Sequence, residues 1–299
     1  MSTPRSLRRS ASIRLAPIKT SRGSFAALAA GPANGVAERQ AALLVPGYTG
    51  SKEDFLAVLE PLAAAGRTVV AIDMRGQYQS PRAADQASYE LDELGDDLVA
   101  VAAAMATDTG RVHLLGHSFG GLVARQAALG ARTAFLSLTL LGSGPHAIAG
   151  ERARVLRDLL AFLEPAGDDV DRMGSMISQL WRAQLRPQAE ADGTPEDIID
   201  FLADRALLSC PLGLAMMARH LLSCPDRTAE LAAIGELPKL VSYGENDDAW
   251  APDLQDLMAK RLGAERVCLP GAGHSPAVEA PAATAAMLTA FWNQAESGR

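Results

Sequence analysis

Cysteine is scarce in this chain. The 299 residues contain three, Cys210, Cys224 and Cys268, so any disulfide scheme leaves one unpaired, and none belongs to a C-x-x-C pair with matching histidines elsewhere. A disulfide-built secreted scaffold is excluded, and the chain reads as cytoplasmic with reduced thiols, although Cys210 and Cys224 both stand in Ser-Cys-Pro and could approach each other. No run of eighteen apolar residues occurs, so no membrane span is expected. Six basic side chains and no acid fall in the first 22 residues, but Arg14 and Lys19 interrupt the apolar stretch an export signal needs after Arg8-Arg9. A basic face is missing too. The net charge is −7 with both signs spread along the chain, so nucleic acid is not expected as a partner. There is no G-x-x-x-x-G-K-[ST] phosphate loop, and the acids and five histidines lack metal-ligand spacing, so neither metal nor cofactor is expected.

Apolar residues, at 48%, are plentiful enough to fill a substantial core. Residues 1–11 form a basic tail, and the broken alternation over 12–30 predicts an antiparallel hairpin. From there, apolar runs at 41–45, 68–72, 112–115 and 135–141 alternate with helically spaced stretches at 55–65, 91–105 and 122–129. Strand, helix, strand with short loops implies a mostly parallel sheet with helices on both faces, an α/β architecture. The alternation stops between about 145 and 235, where helices are predicted at 151–163, 173–185, 195–208, 211–222 and near 228. It resumes with strands at 239–243 and 266–269 and a last helix at 282–294. The expected division is therefore a core of 12–144 and 236–299 interrupted by a helical cap, 145–235.

Ligands of open α/β sheets sit at the carboxyl ends of the strands, and Gly116-His117-Ser118-Phe119-Gly120-Gly121 lies at such an end. Glycines two positions to either side of a serine suit a backbone that turns so sharply that a Cβ there would strike the adjoining strand or helix. A serine nucleophile needs a base within hydrogen-bond reach and a group that orients the base. Of the five histidines, His113 lies within a strand, His220 in a predicted cap helix, and His117 on the serine's own turn, which should point it away. His146 follows the 135–141 strand and could reach the site. His274 is the expected base, because Leu269-Pro270-Gly271-Ala272-Gly273-His274 follows the last strand and its glycines let the loop carry the imidazole back over the sheet edge. Glu245, Asp247 and Asp248, past the 239–243 strand, are the candidate acids.

The chain thus resembles the α/β-hydrolase superfamily, whose triad runs Ser, Asp/Glu, His in chain order with the serine on a nucleophile elbow. The motifs are Gly116-His117-Ser118-Phe119-Gly120-Gly121, Asp73-Met74-Arg75-Gly76, Gly244-x-x-Asp247 and Gly273-His274, and the likeness runs from about Ser12 to the end. It implies a catalytic set Ser118, Asp247 and His274, with Asp247 selected as the acid three residues past the strand-end glycine. It also implies an oxyanion hole from the N–H groups of Tyr48 and Phe119, within Val45-Pro46-Gly47-Tyr48, where Pro46 replaces the usual histidine. Tyr78 stands where a small glycine is common and could pack on the surface or narrow the entrance. Glu279 is expected to brace the loop of His274.

The expected activity is hydrolysis of a small-molecule carboxylic ester through an acyl-enzyme. Thioester, lactone and carbon–carbon bond hydrolysis, cofactor-free perhydrolase (haloperoxidase) chemistry and non-catalytic ligand binding share the fold. Dehalogenases and epoxide hydrolases of this fold use an aspartate where Ser118 stands, and drop out. Met173, Met176, Met216 and Met217, with Trp181, cluster in helices expected to roof the site, and Trp250 follows the acid. Met173, Met176, Trp181, Met217 and Trp250 are the expected substrate contacts, although ordinary helix packing accounts for the cap residues equally well.

Overall fold

The computed structural model describes residues 2–33, 35–106 and 110–298. Its first strands are β1 (Ile13–Leu15), β2 (Ile18–Thr20), β3 (Gly23–Phe25) and β4 (Ala27–Ala30). The expected hairpin is a nested one: β1 pairs with β4, while β2 and β3 pair with each other in a separate two-stranded sheet. The chain then alternates as read from its apolar runs: β5 (Arg39–Val45), α1 (Leu56–Ala64), β6 (Arg67–Ile72), α2 (Leu91–Met105), β7 (Val112–His117), α3 (Phe119–Gly130) and β8 (Phe135–Leu141). Six helices follow before the sheet resumes: α4 (Gly150–Leu163), α5 (Val170–Leu180), α6 (Arg186–Ala191), α7 (Glu196–Leu208), α8 (Pro211–Ser223) and α9 (Thr228–Ala232). The remainder is β9 (Lys239–Gly244), α10 (Pro252–Leu262), β10 (Glu265–Leu269), α11 (Pro276–Glu279) and α12 (Pro281–Ser297).

The eight-stranded sheet runs β1-β4-β6-β5-β7-β8-β9-β10, with antiparallel pairing only at β1, β4 and the β4–β6 edge. Successive side chains of a strand point to opposite faces, and both faces are covered. Leu43, Val70, Leu114 and Val241 pack toward α2, α3, α8 and α10. Leu44, Ala71, Leu115 and Leu240 pack toward α1 and α12. Among the described residues no single helix is long and apolar enough to cross a membrane.

The short α6 and α11 and the longer α10 were not anticipated. Between the last two strands the chain forms α10, opened by Pro252 and closed by Gly263 in the left-handed conformation (φ 60°). A proline just inside the start and a glycine just past the end are the signals that mark it. Its buried face is Gln255, Met258, Ala259 and Leu262.

Buried polar contacts fasten the helices between β8 and β9 to the sheet. Arg205 of α7, 1% exposed, donates from Nη1 to Asp54 Oδ1 at 2.8 Å and from Nη2 to the Ser2 carbonyl at 2.6 Å. Tyr78 packs edge-on against Phe201 of α7, and its N–H donates to Ser209 Oγ at 3.0 Å. Packing, the first of the two roles foreseen for Tyr78, is thus what its ring does. The three cysteines are free, and the Cys224 sulfur accepts from Arg125 at 2.8 Å.

Removing one member of a buried ion pair leaves the other charge without a partner, at a cost of about 3–5 kcal/mol. Arg205→Ala is accordingly expected to lose about that much stability by leaving Asp54 unpaired. Urea unfolding followed by circular dichroism measures the loss, and an unchanged midpoint would remove this pair from the fastening.

Candidate active site

Ser118 is the hinge between β7 and α3. Its backbone sits at φ 54°, ψ −120°, a conformation that L-residues avoid and that typically costs about 1–3 kcal/mol. The neighbouring glycines are there for space. A Cβ on Gly116 would strike the Gly120 carbonyl, one on Gly120 the carbonyls of Val45 and Pro46, and one on Gly121 the Ser143 side chain. This compression brings the end of β5 against the serine: a Cβ on Gly47 would lie 3.0 Å from Ser118 Cβ.

The loop after β5 is held from two sides. Gln77 Nε2 donates to the Gly47 carbonyl at 2.8 Å, and the Gly50 N–H donates to the same oxygen at 3.0 Å. The N–H of Phe119 is the first of α3 and has no acceptor within its helix.

Three strand ends bring the serine, imidazole and carboxylate together. His274 Nε2 lies 2.9 Å from Ser118 Oγ, and His274 Nδ1 lies 2.9 Å from Asp247 Oδ1. The carboxylate can only accept, so Nδ1 carries the proton and Nε2 is left free to accept from the serine hydroxyl. Asp247 has no exposed side-chain surface. Its oxygens also take the Ala249 N–H (2.9 Å) and Gln255 Nε2 (3.0 Å). Gln255 is a contributor that sequence reasoning missed because its helix was missed. The other two candidate acids are engaged elsewhere: Glu245 accepts the Gly271 N–H at 3.0 Å, and Asp248 pairs with Arg152 of α4 at 2.6 Å.

The loop carrying His274 is tied on both sides of the ring. Glu279 accepts from the N–H groups of Gly273 and Ser275, the bracing expected of it. His117 does not point away from the site. It borders the cavity, its Nε2–H donates to the His274 carbonyl at 2.8 Å, and its ring lies 5.1 Å from that of His274. Burial, with the facing His274 acting in the same direction, lowers its pKa from the ordinary 6.5 to about 3, so His117 is neutral. The other three histidines serve the scaffold. His113 bonds Ser137 and Glu296, His220 bonds the Tyr89 carbonyl, and His146 turns its Nδ1 to the Ala147 carbonyl.

Ser118 and His274 open on a cavity of about 730 Å³, bounded by Tyr48, Trp250 and residues of α4, α5, α7 and α8. Of the expected substrate contacts, only Trp250 borders it, seated on Gly144 with its Nε1–H donating to the His146 carbonyl at 2.9 Å. Met173, Met176, Trp181 and Met217 do not line it, a correction to the sequence reading. Met173 and Met176 pack with Leu163, Ala166 and Leu214. Trp181 packs with Ile198, Ile199, Phe201 and Leu202. Met217, like Met216, is in the core beneath α8. These side chains fill the spaces between helices, and the cavity wall is left to Ile148, Leu156, Leu159, Ile177 and Leu180.

A model of the alpha/beta hydrolase family matches residues 42–287 of this chain. The chain belongs to the alpha/beta hydrolase family. It is 40% identical over 136 residues to a candidate carbamate hydrolase, RutD, of Variovorax paradoxus, covering 45% of the chain and 49% of that protein. It is 29% identical over 255 residues to the dihydrolipoyllysine-residue acetyltransferase component of an acetoin cleaving system of Pseudomonas putida, covering 83% of the chain and 62% of that protein. The chain therefore spans about half to three-fifths of the length of these two relatives. Among solved structures, a hydrolase of Pseudomonas aeruginosa superposes with a TM-score of 0.68 at 25% identity, over 95% of the chain and 99% of that structure.

A base held neutral in the fold and protonated in the unfolded chain makes stability rise with pH between its two pKa values. The His117 contribution is present in full above about pH 6.5 and is lost as the pH falls toward about 3. His117→Gln keeps an N–H donor and does not titrate, so the drop in Tm between pH 7 and pH 4 is expected to be smaller than in the parent. Parallel curves would show that His117 titrates as it does in the unfolded chain.

Proposed function

We propose that this hydrolase cleaves a carboxylic ester of a small molecule by two acyl-transfer steps at Ser118. The observation that carries the reading is the unbroken hydrogen-bond chain from Asp247 through His274 to the serine hydroxyl. Ser118 Oγ attacks the ester carbonyl while its proton passes to His274 Nε2. Asp247 keeps the ring in the tautomer that accepts there and stabilises the imidazolium. The oxyanion is received by the N–H groups of Tyr48 and Phe119, which Gly47 and Gly120 allow to approach the serine from two chain segments. Collapse of the tetrahedral adduct breaks the bond to the alkoxy group, which leaves with the proton from His274. Water, deprotonated by the same nitrogen, then attacks the acyl-enzyme and frees the carboxylic acid and Ser118.

Residues 145–235 act in this reading as a cap whose α4 and α5 wall the acyl cavity over the core of 12–144 and 236–299. The two curated relatives are named for hydrolysis of a carbamate and for transfer of an acetyl group, both of which break bonds at an acyl-type carbonyl.

Hydrolysis of p-nitrophenyl acetate is expected to vanish in Ser118→Ala, together with labelling by a fluorophosphonate probe. Asp247→Asn should lower kcat by roughly 10⁴-fold, because an amide there no longer selects the productive tautomer. Full activity in Ser118→Ala would overturn the assignment.

A further inference from the structure

The cavity that Ser118 opens on has mainly apolar walls. Ile148, Leu156 and Leu159 at or beside α4 face it, with Ile177 and Leu180 of α5 and Leu214 of α8. Its aromatic borders are few, and the surface is mainly branched aliphatic. Four charged side chains also reach the cavity, and each is already matched by the protein. Arg205 holds Asp54 (2.8 Å), Arg152 holds Asp248 (2.6 Å), and Arg154 holds both Glu151 (2.9 Å) and Asp158 (2.9 Å). Only the Arg205–Asp54 pair is buried, the others being exposed at the rim, so a charged end group lying within the cavity would have to displace that pair or lose its hydration without a partner, which is costly in an apolar site. At the mouth, Val155 (53% exposed) and Phe162 (36% exposed) continue the apolar surface outward along α4.

We infer that the acyl group this hydrolase accepts is an uncharged aliphatic chain, octanoyl or longer, lying along α4 and α5 with its carbonyl at Ser118. The inference rests on the ester-hydrolase reading and adds the substrate class to it. A volume of about 730 Å³ is well beyond what an acetyl group fills and falls within the range of pockets that enclose extended small molecules, about 300–1,000 Å³. Each methylene taken from water into such a wall is worth about a fourfold gain, ~0.8 kcal/mol at ~1.4 kcal/mol per tenfold. Chains that outgrow the cavity continue over Val155 and Phe162.

The test is kcat/KM for p-nitrophenyl acetate, butanoate, octanoate and decanoate, beside the mono-p-nitrophenyl ester of suberic acid, which matches the octanoyl length but ends in a carboxylate. Octanoate is expected to exceed butanoate by about tenfold or more, and the suberate ester to fall about tenfold or more below octanoate. Leu159→Trp and Leu180→Trp, which fill the trough from two helices, should each lower the ratio of octanoyl to acetyl turnover. A flat or falling profile, or a suberate ester as good as octanoate, with Ser118-dependent cleavage of the acetate, overturns the inference and leaves the hydrolase reading standing. Absence of cleavage at every length overturns the hydrolase reading instead. Binding then decides the trough: decanoate must raise the Tm of the Ser118→Ala protein where butanoate and suberate do not, and no rise sinks the inference.

Discussion

The turn at Ser118 lies close against the end of β5, Gly120 against the carbonyls of Val45 and Pro46 and Gly47 against the serine side chain. A β-carbon at Gly120 would overlap those carbonyls, and one at Gly47 would crowd the serine side chain. This closeness brings the loop after β5 beside the first turn of α3, where Ser118 holds its unfavourable φ. The surrounding polar contacts hold the same loop: Gln77 grips the Gly47 carbonyl, and Asp54 accepts the Ser51 N–H while receiving Arg205 from α7. The position of the helical segment and the geometry beside the serine are thus linked through one buried carboxylate.

Much of this was legible because parallel strands buried on both faces read as short unbroken apolar runs. The strand 135–141 and the helix 91–105 were placed to the residue. Ser118, Asp247 and His274 stood out because each follows such a run, in loops with glycine where chain must pass close to chain. Choosing Asp247 over Glu245 and Asp248 took a family resemblance, since all three are acids on one loop. Only coordinates show that Glu245 turns to Gly271 and Asp248 to Arg152.

The rest was hidden for physical reasons. Gln255 is wholly buried against Asp247, but a glutamine on a half-polar helix carries no mark of burial in its sequence. Met173 and Ile177 lie on one helix and belong to one cluster, yet Ile177 also borders the cavity and Met173 does not. Periodicity identifies an apolar stripe without saying which part of it meets a neighbour and which meets a void. His117 was misjudged for a similar reason: its place beside the turn was evident, but not the loop that its ring would reach.

The segment Pro270–Ser275 is rich in glycine and would wander if left alone. Instead, Glu245 holds it at Gly271, Glu279 at Gly273 and Ser275, and His117 at the carbonyl of His274. A tether this dense means that the freedom lost in aligning the imidazole is given up during folding. Rigidity here is local: it belongs to the strip of chain that bears the ring, and none of these tethers reaches the aliphatic walls opposite.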